Sequence, residues 1–324
     1  MKKISSMRSV QSISLLLVLM IAGTLSSSFI NPPHKFFEGS PIEGRWDLTI
    51  TIDGKQLPSW LEVHHSGLHM LVGQFVGVGG SARPISRVNF KEGKLNFSLP
   101  PQWEPEDRDI VVDGTLEGEK LSGTLVAANG KTYNWTGVRA PRLHRNEEPV
   151  WGKPEKLFNG KNLNGWHAEG ENQWVAAEGS ILRSPKPGSN IMTDKKFSDF
   201  KLHVEFRYPK GSNSGVYLRG RYEVQVMDSK GMEPQKDLLG AIYGFISPSE
   251  MMAKDPGVWQ SYDITLVGRT VTLAVNGKTV ICKQEIPGIT GGALDSNEGE
   301  PGPIMFQGDH GTIEYRNIII TTPK

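Results

Sequence analysis

Chemistry-bearing side chains recur at every second position of several short apolar runs. In the run from Phe200 to Arg207, Glu205 alternates with apolar residues. Because successive side chains of a β-strand point to opposite faces, we predict that Glu205 faces away from the core. The same alternation in three later runs predicts further outward-facing groups: Tyr217, Arg219, Glu223, Gln225 and Gln307. We expect these runs to share one sheet and to present the groups on one face.

Turn-rich loops add polar groups at the ends of these runs. Asn213 lies in the loop 209–215, Asp228 begins the loop 228–231, and His310 lies in the turn 307–311. Gly, Ser, Asn and Asp favour such turns. We expect these side chains to stand at the rim of the sheet. The alternatives are an Asx-turn role for Asp228 and an ordinary exposed turn position for His310.

This combination of groups fits the recognition of a sugar. Hydroxyl groups need fixed donors and acceptors, and the apolar face of a sugar ring needs an aromatic platform. The candidate platforms are Trp166, Trp174, Tyr217, Tyr243 and Trp259. The alternative is that the polar residues only solvate an exposed sheet face. We favour the sugar site because Glu, Arg, Gln and Tyr recur over several strands.

Signatures of several other enzyme classes are missing from the sequence. It contains no His-Glu-x-x-His, no Gly-x-Ser-x-Gly and no P-loop, which disfavours zincin, serine hydrolase and nucleotide chemistry. The formal net charge is +1 and becomes a small acidic excess without the basic residues of the N-terminal segment. We therefore expect no nucleic-acid partner.

The first 28 residues are typical of a secretory signal peptide. Lys2 and Lys3 precede an apolar core from Ile13 to Gly23, and small residues follow up to Ser28. This order is that of an export signal, and the apolar core is shorter than the roughly 20 residues that span a bilayer. A permanent anchor is the alternative. We expect an exported protein, periplasmic or extracellular, without a membrane span.

Residues 40–140 are predicted to form a small antiparallel barrel. They contain about eight short candidate strands, separated by turn dipeptides such as Asp53-Gly54, and consecutive hairpins of this kind build an up-and-down sheet. Gly44 and Trp46 near the start, with Arg139 near the end, give a resemblance to lipocalin-like barrels. In such a barrel we expect Arg139 to stack on Trp46.

The rest of the chain is predicted to be a linker and a second all-β domain. Residues 141–156 contain three prolines and no periodicity, which is typical of a linker. Residues 157–324 contain about a dozen longer candidate strands, which suits a jelly-roll β-sandwich. We expect one helical turn over 249–253. The single cysteine, Cys282, cannot form an intramolecular disulfide, and we expect it to be an inert core thiol.

Six segments, in order, resemble the 3-keto-disaccharide hydrolase domain family, formerly a domain of unknown function, which has a concanavalin-like jelly-roll fold. The resemblance covers roughly residues 155–323. The segments are LFNGKNLNGW (157–166), NSGVYLR (213–219), YEVQVMD (222–228), GAIY (240–243), GPIMFQ (302–307) and YRNI (315–318). The sequence departs from the family pattern at Trp259-Gln260 and in the turn that carries His310.

The resemblance implies cleavage of glycosides that are already oxidised at C3 of the sugar. A C3 ketone acidifies the C2 proton, so a base can remove it and the C1 leaving group can then depart, after which water adds to the unsaturated sugar. Such a site needs a base, a partner for the enolate oxygen and an acid. Our candidates are Glu205 or Glu223 as the base, Arg219 as the enolate partner, and His310 or Asp228 as the acid. The groups that would bind substrate are Asn213, Tyr217, Gln225, Tyr243, Trp259 and Gln307.

Several alternatives stay open from the sequence. A divalent metal is an option because Glu205, Glu223, Asp228 and His310 offer oxygen and nitrogen ligands. An ordinary two-carboxylate glycosidase needs no ketone, and a non-catalytic carbohydrate-binding protein needs no catalyst. In each case the expected partner is an oligosaccharide or glycoside. If the chain cleaves 3-keto-glycosides, we expect a separate sugar 3-oxidoreductase to act upstream.

Overall fold

The computed structural model describes residues 39–324, which contain 21 β-strands and no helix. The predicted signal peptide lies outside the described residues. Within residues 39–324, no segment forms a helix long and apolar enough to cross a membrane. These residues form one compact unit. The all-β prediction is therefore confirmed.

A closed antiparallel barrel forms the first part of this unit, with strands paired in chain order and β1 closing on β8. Its strands are β1 (Gly44–Ile52), β2 (Lys55–Ser66), β3 (Met70–Val76), β4 (Arg83–Lys91), β5 (Lys94–Leu99), β6 (Ile110–Glu117), β7 (Lys120–Val126) and β8 (Thr132–Arg139).

Local sequence explains the hairpins of the barrel. Asp53 and Gly54 both have positive φ (48° and 79°), as the tight turn that joins two twisted antiparallel strands requires. At one end of the barrel, Trp46 is fully buried and the Arg139 guanidinium lies 3.8 Å from its ring centroid. The predicted stacking of Arg139 on Trp46 is confirmed.

A two-sheet jelly-roll sandwich follows the barrel. Its first strands are short: β9 (Glu155–Lys156), β10 (Trp166–Ala168), β11 (Val175–Ala177), β12 (Ile181–Ser184) and β13 (Ile191–Thr193). The longer strands follow: β14 (Phe200–Arg207), β15 (Asn213–Leu218), β16 (Tyr222–Met227), β17 (Gln260–Val267), β18 (Thr270–Val275) and β19 (Lys278–Glu285). The last two are β20 (Met305–Phe306) and β21 (Ile313–Thr321).

The sandwich strands divide between a five-stranded and an eight-stranded sheet. The first has the order β10-β13-β20-β15-β16, and the main path of the second is β11-β12-β21-β14-β17-β18-β19, with β9 paired to β21. The core lies between the sheets, where Phe306 of the first stacks on Tyr315 of the second at 4.1 Å between ring centroids. Alternation along β16 buries Val224 and Val226 in this core and leaves Glu223 and Gln225 on the other face.

The expectation that all polar runs share one sheet is wrong. β14, which carries Glu205, lies in the eight-stranded sheet, whereas β15, β16 and β20 lie in the five-stranded sheet. In a sandwich the two outward faces point in opposite directions. Glu205 is therefore on the far side of the core from Glu223.

The predicted helical turn over 249–253 is also wrong, since the described chain there is irregular. Side chains of neighbouring residues satisfy its backbone instead. The Asn276 amide donates to the Met252 carbonyl oxygen at 2.8 Å, and the Lys254 N–H donates to Gln260 Oε1 at 2.8 Å. These bonds replace the ones that a helical turn would make.

The predicted burial of Cys282 is wrong, because this thiol is exposed. The pairing of β18 with β19 shifts register on both sides of Leu273. As a result Val280 and Ile281 are both buried, and the alternation that would have placed Cys282 inside is broken.

Barrel and sandwich contact each other closely. Trp60 of β2 is fully buried in the sandwich core, with its ring 5.2 Å from that of Phe245. On another part of the contact, Asp47 of β1 lies beside the buried ion pair of Glu298 with Arg269. The barrel is thereby held against the sandwich by apolar and charged groups.

Candidate active site

A cavity of about 670 Å³ opens on the face of the five-stranded sheet that points away from the sandwich core. Strands β15 and β16 and the loop after β20 supply most of its polar lining: Asn213, Tyr217, Glu223, Gln225, Gln307 and His310. Tyr243 and the glycines of the loop 291–292 complete the sandwich side. Seven residues that the sequence pointed to are therefore brought together in one cavity.

Glu223 is the most deeply buried carboxyl group of this cavity, at 3% exposure. Its side chain lies over Gly215 of the neighbouring strand, where an added Cβ would come within 2.3 Å of Glu223 Oε1. Burial raises the pKa of Glu223 to about 8, and the Asp309 carboxylate adds to the shift, while the Tyr217 hydrogen bond and the charge of His310 oppose it. Glu223 can therefore exchange a proton near neutral pH.

Tyr217 ties this carboxyl group to the loop on its other side. The Tyr217 hydroxyl lies 2.9 Å from Glu223 Oε2 and 3.0 Å from the Gly291 carbonyl oxygen. One phenolic proton serves two acceptors, so protonation of Glu223 would let the acid donate to Tyr217 while Tyr217 donates to Gly291. Burial holds the pKa of Tyr217 well above its usual range, so Tyr217 acts as a neutral hydrogen-bonding group.

His310 stands at the mouth of the cavity with about half of its side chain exposed. Its Nδ1 lies 2.5 Å from Asp309 Oδ1. This hydrogen bond, together with the negative charges of Asp309 and Glu223, raises the pKa of His310 against the opposing effect of partial burial. The imidazole is thus favoured in its protonated form, in which it can donate a proton.

Two amide oxygens in the cavity wall, Asn213 Oδ1 and Gln307 Oε1, are buried and have no hydrogen-bond partner among the described residues. An unsatisfied buried polar atom is costly, so these oxygens are ready acceptors for hydroxyl groups of a ligand. Gln225 differs, since its side chain bonds the backbone at Asp237 and Val226. Burial and the charge of Glu223 raise the pKa of Tyr243 to about 12.

Glu205 and Trp259 do not reach the cavity. Glu205 on the eight-stranded sheet accepts hydrogen bonds from Arg316 at 2.6 Å and Asn317 at 2.9 Å. Trp259 lies on the same outer face, with the Arg316 guanidinium 4.0 Å and that of Arg207 4.7 Å from its ring centroid. Both residues belong to a surface network of ion pairs and stacked side chains.

Arg219 and Asp228 also lie outside the cavity lining. Arg219 follows the end of β15 with φ of 55°, which breaks strand alternation and turns its side chain inward. There it is 1% exposed and donates to the Tyr222 hydroxyl oxygen at 2.7 Å and the Gly268 carbonyl oxygen at 3.2 Å. Asp228 accepts the Gly211 N–H at 2.9 Å, a turn-stabilising bond.

The four residues considered as metal ligands do not converge, because Glu205 is on the opposite sheet and Asp228 is in its turn. Within residues 39–324, no group of three or more His, Cys, Asp or Glu side chains is arranged to hold a metal ion.

The barrel also lines the cavity, which sequence reasoning missed. Its contributions are Gly79, Gly80, Trp103 and Glu104. Trp103 stands in a proline-rich loop of the barrel, and a lone tryptophan in such a loop was the available signal. Asp309 was also missed as a partner, although it directly precedes His310.

An all-β sandwich with a polar and aromatic cavity on one sheet is the setting of a carbohydrate-active, glycosyl-hydrolase-like protein. The model of the 3-keto-alpha-glucoside-1,2-lyase-like domain family matches residues 153–321, and the chain belongs to this family. The resemblance stated from the sequence is thereby confirmed.

Individual relatives match this chain over a shorter stretch or at lower sequence identity. A 3-keto-disaccharide hydrolase of Bacteroides thetaiotaomicron is 30% identical over 111 residues, which cover 31% of this chain and 36% of that protein. The match thus spans about a third of that relative's length. A crystal structure of a candidate glycosyl hydrolase from Parabacteroides distasonis is 27% identical, with a TM-score of 0.45, and the match covers 56% of this chain and 96% of that one. The carbohydrate-binding module CBM66 of Bacillus subtilis is 13% identical, with a TM-score of 0.33, and the match covers 48% of this chain and 95% of that module.

Proposed function

We propose that this chain cleaves 3-keto-glycosides by eliminating the C1 substituent and then hydrating the unsaturated sugar. The observation that carries the proposal is the buried carboxyl group of Glu223, whose pKa is raised to about 8, in one cavity with the imidazole of His310. A base with a pKa near 8, in one cavity with a group that can donate a proton, is suited to proton transfer near neutral pH.

The elimination needs two proton transfers, the hydration needs two more, and neither step is a redox step. Glu223 takes the proton from C2, which the C3 ketone acidifies, and the electron pair forms an enolate. The enolate reforms the ketone, a double bond forms between C1 and C2, and the C1–O bond breaks. His310 gives its proton to the departing oxygen. Water then adds to C1 and gives a proton to the neutral imidazole of His310, while Glu223 returns its proton to C2, which gives the free 3-keto sugar.

Glu223 is preferred over Glu205 as the base. Glu223 is in the cavity, whereas Glu205 is bound by Arg316 and Asn317 on the other sheet. At pH 7 only about a tenth of a carboxyl group with a pKa near 8 is ionised. The ionised fraction is a strong base for a carboxylate. Its proton affinity is closer to that of the enolate than the proton affinity of an exposed glutamate is.

His310 is preferred over Asp228 as the acid. Its raised pKa favours the protonated ring, and its partial exposure at the mouth lets it regain a proton from solvent. Asn213 and Gln307 take the role that Arg219 was expected to play, because an amide NH2 group can donate to the ketone oxygen while the amide oxygen accepts from a neighbouring hydroxyl. Charge stabilisation of the enolate thus comes from neutral donors and His310 rather than from an arginine.

The test is to incubate the purified chain with a 3-keto-glucoside and with its unoxidised parent, and to follow release of the leaving group with and without a chelator. Release from the keto form alone supports the proposal, and loss of that rate with chelator would add a metal to the mechanism. Release from the parent would assign an ordinary glycosidase. Release from neither, with binding of both, would leave a carbohydrate-binding module.

We also propose export as the setting for this activity, on the pattern of residues 1–28. A sugar 3-oxidoreductase would have to supply the ketone, since the elimination begins from an oxidised ring. Cell fractionation tests the first point, because recovery of the chain in the cytoplasm would contradict it.

A further inference from the structure

A second cavity, of about 710 Å³, lies beside the first one in the contact between barrel and sandwich. The two cavities share Trp103 of the barrel and Tyr243 of the sandwich. A ligand that fills the first cavity can therefore extend past these two rings into the second. The reaction above leaves this second cavity without a function.

Trp103 is an exposed ring on a fixed backbone. Its exposure is 70%, yet the carboxylate of Glu104 accepts the backbone N–H of Gln102 at 2.7 Å and that of Trp103 at 3.0 Å. Arg83, which is nearly buried, lies 3.5 Å from the other oxygen of Glu104. A large exposed aromatic ring on a fixed backbone, at the junction of two cavities, can serve as a platform for a ligand.

The loop against which Trp103 rests is itself seated on the sandwich. The Trp103 ring lies so close to Gly80 that a Cβ there would come within 2.7 Å of it. A Cβ on Gly291 would come within 2.1 Å of the Gly80 carbonyl oxygen, and the Gly292 N–H donates to the Val78 carbonyl oxygen at 3.1 Å. The Gly291 carbonyl oxygen also accepts from the Tyr217 hydroxyl, which contacts Glu223. The close backbone contact of Gly80 with Gly291 therefore fixes the position of Trp103 relative to Glu223.

The second cavity offers hydrogen-bonding groups of both kinds around this ring. Gln74 comes from the barrel, and Gln235, Lys236 and Asp237 come from the sandwich. The Gln102 side chain is instead bonded to Ser81 through both its amide nitrogen and its amide oxygen. Amide, ammonium and carboxylate groups beside an aromatic face match a ring that has hydroxyls on its edge and C–H groups on its face.

We propose that the barrel supplies the binding subsite for the leaving group, with Trp103 as its platform, and that this leaving group is a sugar ring. The inference rests on the proposed function for the assignment of the oxidised ring to the cavity of Glu223. The barrel lies outside the residues that the family model matches. In this chain it would select disaccharides, or longer saccharides, over small glycosides.

The experiment compares a 3-keto-disaccharide with methyl 3-keto-glucoside on the full chain. Trp103→Ala is expected to raise KM for the disaccharide about tenfold, the loss of about 1.4 kcal/mol of binding, and to change KM for the methyl glucoside by a much smaller factor. Trp103→Phe should restore most of the difference. Leu68→Ala, which trims another exposed apolar side chain of the barrel, is the matched control and should change neither substrate.

Equal effects of Trp103→Ala on both substrates, or no effect on either, would overturn the subsite. A larger effect on a nitrophenyl 3-keto-glucoside than on the disaccharide would overturn its assignment to a sugar. If the wild-type chain cleaves neither keto substrate, the proposed function fails, and calorimetry with the unoxidised disaccharide and methyl glucoside still tests the subsite. Tighter disaccharide binding that Trp103→Ala abolishes would support it, and equal binding would overturn it.

Discussion

At the scale of single residues, Glu223 combines burial with one hydroxyl donor and, within residues 39–324, no cationic partner in direct contact. Each pKa unit by which a group is shifted corresponds to about 1.4 kcal/mol between its two protonation states. A carboxyl group with a folded-state pKa near 8 therefore destabilises the fold when it ionises. Such a cost is expected where a group is kept for chemistry rather than for stability.

Glu223→Gln is expected to lower turnover of a 3-keto-glucoside at least a thousandfold, because an amide cannot accept the C2 proton. Stability should change in the opposite direction at high pH. The raised pKa means that the contribution of Glu223 to the stability of the wild type is fully present below about pH 4.5 and is lost as the pH rises through about 8. Thermal unfolding at pH 9 should therefore show a higher Tm for the variant.

The control is Glu205→Gln, which removes a carboxylate on the opposite sheet and should leave the rate within about twofold. A rate for Glu223→Gln equal to that of the wild type would remove Glu223 from the mechanism. Unfolding of both variants at pH 7 would mean that the loss of turnover comes from a loss of structure.

The pH dependence of kcat/KM should report the ionisation of Glu223. Activity is expected to rise with pH as Glu223 ionises, with a midpoint near 8. Tyr217→Phe removes a hydrogen bond that holds the pKa of Glu223 down, so the rising limb should move to higher pH. An unmoved limb in Tyr217→Phe would show that another group controls it.

At the scale of elements, the antiparallel pair β15 and β16 builds the site. Tyr217 and Glu223 are directly opposed across this pair, and Gly215 faces Gln225 one step along the same face. Cross-strand neighbours on one face lie about 5 Å apart, which brings the hydroxyl within reach of the carboxyl group. The missing side chain of Gly215 then provides the space into which Glu223 folds.

Gly215→Ala should therefore act on activity more than on folding. Its Cβ would meet Glu223 Oε1 at 2.3 Å and displace the carboxyl group, so we expect at least a hundredfold loss of kcat, because displacement of a catalytic group by about 1 Å has such effects. Gly231→Ala is the control, since an added Cβ there meets nothing within 4 Å. Its positive φ costs about 1 kcal/mol of stability, and its kcat should stay normal.

At the scale of the whole molecule, a charged cluster lies between barrel and sandwich. Glu298 is fully buried, pairs with Arg269 and accepts the Tyr222 hydroxyl at 2.6 Å. Burial, and then the charge of Glu298, raise the pKa of Asp47 to about 8. Asp47 is thus neutral at pH 7, and its ionisation places a second negative charge in the contact.

We expect this contact to weaken in alkaline solution. The folded-state pKa of Asp47 lies above its ordinary value of 3.8. The contribution of Asp47 to stability is therefore present below about pH 4 and is lost as the pH rises through about 8. Asp47→Asn should lose less stability than the wild type between pH 6 and pH 9, by roughly 5 °C in Tm. Equal losses in the two proteins, measured by thermal unfolding, would contradict this account.

The sequence by itself determined the strands, the tight turns and the membership of the β15–β16 face. Each of these depends on local rules: period-two alternation places Val224 in the core and Glu223 on the opposite face, and a turn such as Asp53-Gly54 needs residues that accept positive φ. The resemblance to the family was likewise carried by short ordered segments, which need no tertiary information.

Only the tertiary structure decided which faces meet. Alternation says that Glu205 and Glu223 both point away from the core but cannot say that they do so from opposite sheets. It also fails where a residue leaves the strand, as Arg219 does with its positive φ, and where a bulge shifts the pattern, as at Cys282. Trp103 is some 120 residues from Glu223 in sequence. Its place beside the cavity depends on backbone packing of Gly80 against Gly291, a contact between distant loops that no local pattern encodes.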